Sequence, residues 1–349
     1  MDSPGRDAAA TEATAAELSA MTMALELAQN SGVRRGPNPA VGCVILNDAG
    51  QVLATGYHRG PGTPHAEATA LATAGARARG ATAVVTLEPC AHHGRTPPCA
   101  DALIAAGVTR VVFGQTDPNP EAAGGADRLR AAGVAVLGGI EATRAAALNP
   151  VWSQAARLGR PVVTWKVAAS LDGRIAAADG TSKWITGAAA REQVHALRAS
   201  VDAVLTGTGT ALADNPALTA RPGGQPITEQ PLRAVMGYTH LPAEYLLAAG
   251  APGVLWLATH DPHVALSTLW RADVRHVLLE SGPRLAGAFL AHDLVDYLVW
   301  FTAPIILGAA GTPVCVEGPA TLADARGWRI TATRTVAPDV RIDAERERG

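Results

Sequence analysis

The residues best able to do chemistry are an imidazole, two thiols and a carboxyl group that lie between positions 65 and 99. His65 stands two residues before Glu67, and Cys90 and Cys99 follow. Zinc takes nitrogen and sulfur ligands tetrahedrally, and a catalytic zinc keeps three protein ligands and one open position for water. His65, Cys90 and Cys99 supply three such ligands. The pattern therefore predicts one zinc ion in this part of the chain.

Glu67 is the predicted catalytic residue, a proton carrier beside the metal. Zinc brings the pKa of bound water from 15.7 to about 7, and a nearby carboxylate can then move the proton. A glutamate two residues after a histidine ligand, followed later by Pro-Cys, is typical of hydrolytic deaminases. The common signature has two residues between its cysteines, whereas residues 91–98 separate Cys90 from Cys99 here.

Two other interpretations of the metal ligands stay open. A closed structural zinc site would use His92 or His93 as its fourth ligand, but such a site has no need for Glu67 beside its histidine. Two thiolates with one imidazole also suit iron in some proteins.

The local sequence indicates how the ligands are positioned. A proline precedes His65, and the apolar spacing after it predicts a helix near 65–75 with His65 and Glu67 in its first turn. The apolar segment 83–87 predicts a buried strand that ends just before Cys90.

Cys99 follows two prolines and precedes a helical pattern, so it too is predicted at a helix start. Helix amino ends favour negative charge, and we expect this to help hold both sulfurs as thiolates.

Strands and helices alternate through this part of the chain, which indicates a layered α/β domain. The strands are predicted near 41–47, 52–57, 82–87 and 109–114, and the helices near 15–30, 65–75, 98–106 and 122–132.

Length and composition favour two domains and exclude several classes of function. At about 150 residues per domain, 349 residues predict two or three compact units. We expect one domain over 1–145, a linker over 146–160 and a second domain from a new β-rich segment over 161–349. With 17% charged residues and a net charge of −2, the chain lacks the basic field that attracts nucleic acid.

The longest apolar stretch, near 285–310, is interrupted by charged residues, so no membrane span is predicted. The first twenty residues lack the order of a signal peptide, and we expect a cytoplasmic protein.

A deaminase acting on free nucleosides or on RNA would need a broad basic or aromatic surface. With 4% aromatic residues, the sequence gives that hypothesis little support.

Several long motifs resemble one enzyme family over most of the chain, from about residue 20 to about residue 343. The matching segments are 37–42 (PNPAVG), 65–67 (HAE), 86–99 (TLEPCAHHGRTPPC), 166–174 (KVAASLDGR) and 180–186 (GTSKWIT). They look like those of the bifunctional riboflavin-biosynthesis deaminase/reductase, and the longer cysteine spacing is that family's own variant.

The resemblance implies a fold, two reactions and two cofactors. The implied fold class is α/β, with a cytidine-deaminase-like three-layer α/β/α domain followed by a dihydrofolate-reductase-like α/β domain. The first domain would deaminate 2,5-diamino-6-(5-phosphoribosylamino)pyrimidin-4(3H)-one hydrolytically, using zinc. The second would reduce the ribosyl chain of the product to ribityl with NADPH. The family also implies a homo-oligomer, either a dimer or a tetramer.

The resemblance also implies binding residues in the second domain, carried over by motif position. The cofactor NADPH would contact Ala168, Trp184, Thr210, Asp214 and the turn and helix start Gly282, Pro283, Arg284, Leu285, Ala286, Gly287 and Ala288. The substrate would contact Ser182, Arg198, Leu218, Arg221 and Glu280. The guanidinium groups suit a sugar phosphate, because they stay charged and bind phosphate through two nitrogens.

The sequence departs from the family at two places. The family usually has a Gly-x-Gly-like stretch after an Asp-Pro motif, beside the deaminase pocket. The corresponding segment of this chain, 117–127, is one residue shorter. Gly237 and Tyr238 stand where the family has an aspartate and a small polar residue, in the cofactor region. The alternative hypothesis is therefore a deaminase whose second domain no longer reduces and serves only binding or assembly.

Overall fold

The chain folds into two compact units, residues 1–159 and 160–349. The computed structural model describes residues 12–32, 36–92, 97–248, 253–316, 318 and 320–347. Within those ranges, none of the helices has the length and apolar character needed to cross a membrane.

The first unit has a five-stranded sheet with the order β2-β1-β3-β4-β5. β1 runs antiparallel to β2 and β3, and β3, β4 and β5 are parallel. The strands are β1 (Gly42–Leu46), β2 (Val52–Tyr57), β3 (Thr82–Leu87), β4 (Arg110–Gln115) and β5 (Ala135–Gly138). The helices are α1 (Ala15–Gln29), α2 (Ala66–Ala74), α3 (Cys99–Ala105), α4 (Gly125–Ala131), α5 (Ala142–Leu148) and α6 (Pro150–Leu158), with a 3-10 helix at Gly75–Ala78.

Alternate residues of β1 explain why this unit has three layers. Side chains of successive strand residues point to opposite faces of a sheet. Cys43 and Ile45 pack into the cluster that contains residues of α2 and α3, whereas Val44 and Leu46 pack into the cluster formed with α1 and α5. All four are buried. Helices therefore cover both faces of the sheet.

The second unit has an eight-stranded sheet with the order β10-β9-β8-β11-β6-β12-β15-β14 and a small β13-β7 sheet. Its strands are β6 (Val162–Ser170), β7 (Arg174–Ala176), β8 (Ala203–Gly207), β9 (Leu232–Met236), β10 (Val254–Leu257), β11 (His276–Leu279), β12 (Tyr297–Ala303), β13 (Thr312–Pro313), β14 (Trp328–Val336) and β15 (Asp339–Arg346). Its helices are α7 (Ala188–Ala199), α8 (Thr208–Asp214), α9 (Pro262–Arg271) and α10 (Pro283–Ala291), with 3-10 helices at Pro222–Gly224 and Leu322–Asp324.

Parallel pairing over most of the large sheet aligns the carboxyl ends of its strands. Each adjacent pair of strands from β10 through β9, β8, β11 and β6 to β12 is parallel, whereas β12 runs antiparallel to β15. In open α/β sheets, ligands bind in the crevice outside these carboxyl ends. The segments that follow β6, β8, β9 and β11 are therefore the ones that can meet at a site.

The elements predicted for the first unit agree with the structure to within a few residues. β5 was not predicted, because it is short and only partly buried. Most of the predicted linker, 146–160, is helical as the end of α5 and the whole of α6. The predicted domain boundaries themselves stay a prediction.

Candidate active sites

Three metal-binding side chains meet at one edge of the first unit. The Nδ1 atom of His65 lies 3.2 Å from Cys99 Sγ and 3.8 Å from Cys90 Sγ. The three donor atoms all lie within 4.8 Å of one another. Tetrahedral ligands at ordinary Zn–N and Zn–S lengths stand about 3.5–3.8 Å apart. The donor set therefore fits zinc in both chemistry and spacing.

Secondary structure places each ligand as the sequence predicts. His65 is the N-cap of α2, and Glu67 lies in the first turn of that helix. Cys90 follows the carboxyl end of β3, and Cys99 is the first residue of α3. The backbone N–H of Cys99 donates to Cys90 Sγ over 3.4 Å, which ties the two sulfur-bearing segments together. His92 is not a member of this donor group, and His93 lies outside the described residues.

The two cysteines differ in their acidity. The pKa of Cys90 is lowered to about 4, chiefly because Cys99 donates a hydrogen bond to its sulfur. The pKa of Cys99 is raised by that same hydrogen bond and by burial. Without a metal, the hydrogen bond and burial therefore act on Cys99 in the direction opposite to a helix amino end, and the expectation that helix ends help hold both sulfurs as thiolates stays a prediction. A coordinating metal deprotonates its thiol ligands outright.

Glu67 is buried beside the donor set, with 4% of its surface exposed. Burial raises the pKa of its carboxyl group, and the negative charge of Cys90 raises it further. A carboxyl group with a raised pKa holds and releases protons closer to neutral pH. This is the environment that a proton carrier needs.

Glu88 and Asp117 form a second buried acidic pair that the sequence analysis did not single out. The Glu88 carboxylate accepts hydrogen bonds from the backbone N–H groups of Asp117 (3.1 Å) and Ala126 (3.0 Å). Burial raises the pKa of Asp117 to about 7, and the charge of Glu88 contributes. Glu88 thus ties the strand end that leads to Cys90 to the loop after β4 and the start of α4. Its position directly before Pro89 and Cys90 is the sequence feature from which this role could have been predicted.

Gly125 lies against the backbone that carries Cys90, in the segment that departs from the family pattern. A Cβ atom on Gly125 would stand 1.6 Å from the carbonyl oxygen of Pro89. Glycine is therefore required for α4 to approach the metal ligands this closely.

Gly125→Ala is expected to destabilise the first unit by about 3 kcal/mol, the upper part of the usual range for overpacking, and to weaken zinc binding. Thermal unfolding and zinc titration against a chelator measure both effects. The matched control is Gly124→Ala, because a Cβ atom there would meet open space. Its only expected cost is the strain of a non-glycine residue in a left-handed backbone conformation (φ 97°). Equal zinc affinity in the two variants would contradict the steric explanation.

The second unit contains a cavity of about 1420 Å³ at the carboxyl ends of its parallel strands. Most of the predicted binding residues line it. They are Ala168, Trp184, Thr210, Asp214, Gly282, Pro283, Arg284, Leu285 and Ala288 of the predicted cofactor set, and Ser182, Arg198, Leu218, Arg221 and Glu280 of the predicted substrate set. Ala286 and Gly287 do not line the cavity, because both are buried within α10.

Three of the residues that line this cavity form a charged, hydrogen-bonded cluster. Arg198 donates from Nε to Glu280 Oε1 (2.6 Å) and from Nη2 to Glu280 Oε2 (3.0 Å). Lys166 Nζ lies 3.0 Å from Glu280 Oε2. Burial raises the pKa of Glu280, but the two cations outweigh it and hold that pKa well below its usual range. Lys166 was not predicted as a site residue, although it is the first residue of the KVAASLDGR motif.

The amino end of α10 also lines this cavity. Gly282 is the N-cap of α10, and its N–H donates to Thr210 Oγ1 over 2.9 Å. Ser182 Oγ donates to Asp214 Oδ1 over 3.0 Å. Backbone N–H groups at a helix amino end favour anionic groups. The amino end of α10 is therefore the part of this lining that favours a cofactor phosphate.

Gly237 and Tyr238 follow β9 near the same cavity. Gly237 has φ 135°, and a Cβ atom there would stand 2.7 Å from Thr208 Oγ1, so glycine suits this chain's own packing. Tyr238 is 60% exposed and packs edge-on against the ring of His260, which lines the cavity.

Two family models match the chain, one on each unit. The cytidine and deoxycytidylate deaminase zinc-binding region matches residues 15–115, and the RibD C-terminal domain matches residues 161–342. The riboflavin biosynthesis protein RibD of Mycobacterium tuberculosis is 44% identical over 324 residues, which cover 92% of this chain and 95% of that protein. The chain belongs to the RibD family. The RibD of Escherichia coli K12 is 42% identical over 355 residues, covering 92% of this chain and 96% of that protein.

Solved structures of RibD proteins agree with this membership. Acinetobacter baumannii RibD, form 1, has a TM-score of 0.79 and 38% identity, and covers 95% of this chain and 99% of that chain. A Thermotoga maritima diaminohydroxyphosphoribosylaminopyrimidine deaminase/5-amino-6-(5-phosphoribosylamino)uracil reductase has a TM-score of 0.75 and 31% identity, with the same two coverages.

This RibD-family chain is a bifunctional enzyme of riboflavin biosynthesis, a zinc deaminase joined to an NADPH-dependent reductase. The predicted cytidine-deaminase-like and dihydrofolate-reductase-like folds and the two predicted cofactors are confirmed. The comparisons support the bifunctional interpretation rather than a second domain kept only for binding or assembly, and the match to the RibD C-terminal domain includes Gly237 and Tyr238. The roles of the individual site residues stay predictions.

Proposed function

We propose that the two units catalyse successive steps on one pyrimidine. The first hydrolyses the 2-amino group of 2,5-diamino-6-(5-phosphoribosylamino)pyrimidin-4(3H)-one, consuming water and releasing ammonia. The product is 5-amino-6-(5-phosphoribosylamino)uracil, whose ribosyl chain the second unit reduces to ribityl with NADPH. The observation that carries this proposal is the buried Glu67 beside the His65, Cys90 and Cys99 donor set, in one chain with the charged reductase cavity.

The chain's own residues account for the proton transfers of the first step. His65, Cys90 and Cys99 would hold zinc, which supplies an activated water at neutral pH. Glu67 accepts a proton as water adds to the ring carbon. It then gives a proton to the departing nitrogen, so that the C–N bond breaks as ammonia leaves. Burial of Glu67 excludes competing solvent from this transfer.

In the second unit, we assign different tasks to the two arginines. Arg198 is committed to Glu280 through two hydrogen bonds, so its main task is to orient that carboxylate. Arg221 is exposed and lines the same cavity, which suits it to the substrate phosphate. NADPH would supply the hydride for the reduction, and the amino end of α10, which Gly282 caps, would favour its phosphates.

The test is a paired assay on the diaminopyrimidine substrate, following ammonia release and NADPH oxidation in one reaction. Both signals are expected from the zinc-loaded chain. Removal of the metal with a chelator should abolish ammonia release and spare NADPH oxidation on the deaminated uracil, and added zinc should restore ammonia release. Zinc-dependent ammonia release without NADPH oxidation would overturn the reductase half, and no ammonia from the zinc-loaded chain would overturn the substrate.

We further infer from the family resemblance a cytoplasmic homo-oligomer, either a dimer or a tetramer. Light scattering coupled to size-exclusion chromatography distinguishes these states, and a monomer at micromolar concentration would contradict the inference.

A further inference from the structure

The start of α6 holds a distant loop of the first unit through its backbone. The side chain of Asn149 accepts from the N–H of Ala40 (2.7 Å) and donates to the C=O of the same residue (2.9 Å). The indole N–H of Trp152 donates to the C=O of Pro37 over 2.8 Å. Asn149 is 8% exposed and Ala40 is 5% exposed, so the pair is shielded from water. These contacts fix the segment 37–40 at both ends.

Within this segment, Asn38 is connected through His58 to His65, one of the predicted metal ligands. Asn38 Nδ2 lies 2.9 Å from His58 Nε2, and His58 Nδ1 lies 3.1 Å from the C=O of Pro64. Because a carbonyl can only accept, Nδ1 carries the proton, and Nε2 accepts from Asn38. The His58 ring packs edge-on against the ring of His65, with centroids 5.5 Å apart and planes at 78°.

A second set of contacts joins α6 to the strand end that leads to the cysteines. Gln115 Nε2 donates to Ser153 Oγ over 3.0 Å. The backbone C=O of Gln115 accepts from the N–H of Glu88, two residues before Cys90, over 2.8 Å. Residues at the start of α6 therefore contact both the loop that leads through His58 to His65 and the strand end that leads to Cys90.

We propose that Asn149 and Trp152 are positioning residues of the deaminase, which set the loop 37–40 and through it the pair His58 and His65. The proposal rests on the proposed function of the first unit. Both residues lie in the segment 146–160 that the sequence analysis treated as a linker, so the working deaminase extends beyond residue 145.

Loss of these contacts has a defined physical cost. Removing the Asn149 amide leaves a buried N–H and a buried C=O of Ala40 without their partner. The loop then relaxes, and the ring of His65 loses the neighbour that orients it. Groups that orient metal ligands typically change metal affinity or activity by about 10- to 100-fold when mutated.

The experiment uses the full-length chain with Asn149→Ala and, separately, Trp152→Phe, which keeps an aromatic ring and removes the N–H donor. Zinc affinity is measured by competition with a chelator, and deaminase kcat/KM by ammonia release. NADPH oxidation on the deaminated uracil reports on the second unit of the same molecules. The matched control is Asn47→Ala, because the Asn47 side chain likewise makes two hydrogen bonds to backbone groups, accepting from the N–H groups of Ala49 and Gln51, but in the β1–β2 turn.

A double-mutant cycle with Asn38→Ala separates positioning from general stability. In the wild-type background, Asn149→Ala is expected to weaken zinc binding about 10-fold or more. In the Asn38→Ala background, the same change should cost less than about 3-fold, because the connection is already broken. Trp152→Phe should lower zinc affinity in the same direction and keep the second unit's activity.

Equal losses from Asn149→Ala in both backgrounds would overturn the proposal, as would an equal loss of zinc affinity in Asn47→Ala. Unchanged zinc affinity in Trp152→Phe would overturn it for Trp152, even if Asn149→Ala fails to fold. A wild-type chain that binds zinc but releases no ammonia would instead count against the proposed substrate, and the zinc-affinity cycle would still test the positioning role.

Discussion

Glu67→Gln is expected to lower the rate of ammonia release by about 100- to 10,000-fold, the range that a positioned acid–base group contributes. Glutamine has nearly the same shape but cannot accept and return the proton. His65, Cys90 and Cys99 are unchanged, so the variant should bind zinc at the wild-type stoichiometry. Ammonia release and zinc content, measured on the same preparation, check both parts of this expectation.

The matched control for this variant is Glu26→Gln, the same change at an exposed position of α1. It should leave ammonia release within about 2-fold of wild type, because substitutions on the exposed surface usually change stability by less than about 0.5 kcal/mol. The second unit of Glu67→Gln should still oxidise NADPH on the deaminated uracil. A variant that keeps more than a tenth of the wild-type ammonia release would remove Glu67 from its assigned role.

Glu280→Gln is expected to destabilise the second unit by about 3 kcal/mol and to abolish most NADPH oxidation. The change leaves Arg198 and Lys166 facing each other without the carboxylate between them, and breaking a buried ion pair on one side costs about 3–5 kcal/mol. We take the low end, because the two cations keep 13% and 17% side-chain exposure. For a unit of this size, the loss corresponds to a fall in Tm of about 6–12 °C.

Scanning calorimetry measures this loss, and the transition of the second unit is the one that NADPH shifts upward. Glu244→Gln, at an exposed position of the same unit, is the control. The effect should also depend on pH. Because folding lowers the pKa of Glu280, its contribution is complete above the unfolded value of about 4.3 and is lost as pH falls through the folded pKa. A wild-type advantage that grows on acidification would contradict this explanation.

Local patterns in the sequence were sufficient to predict the three side chains that meet as the donor set. His65 and Cys99 each directly follow a proline at a helix start, and Cys90 follows an apolar strand, so short segments determine all three positions. The acidity of Cys99 could not be predicted in this way, because it depends on the distance to Cys90 across the fold.

Contacts between distant segments were not predictable from one sequence. Lys166 and Glu280 meet because β6 and β11 are parallel neighbours with Trp165 opposite Leu279, which places the next residues of both strands side by side. Strand order and register determine this pairing, and neither can be predicted from the local sequence pattern. Asn149 reaches Ala40 across 109 positions for a similar reason.

The attachment of α6 to the loop 37–40 also bears on how the protein is made. Asn149 is translated 50 residues after Cys99, and a ribosome adding roughly 5–20 residues per second needs several seconds to cover that distance. All three zinc ligands therefore emerge before the helix that braces them. The contacts that we propose to position His65 can therefore form only after the whole donor set has been synthesised.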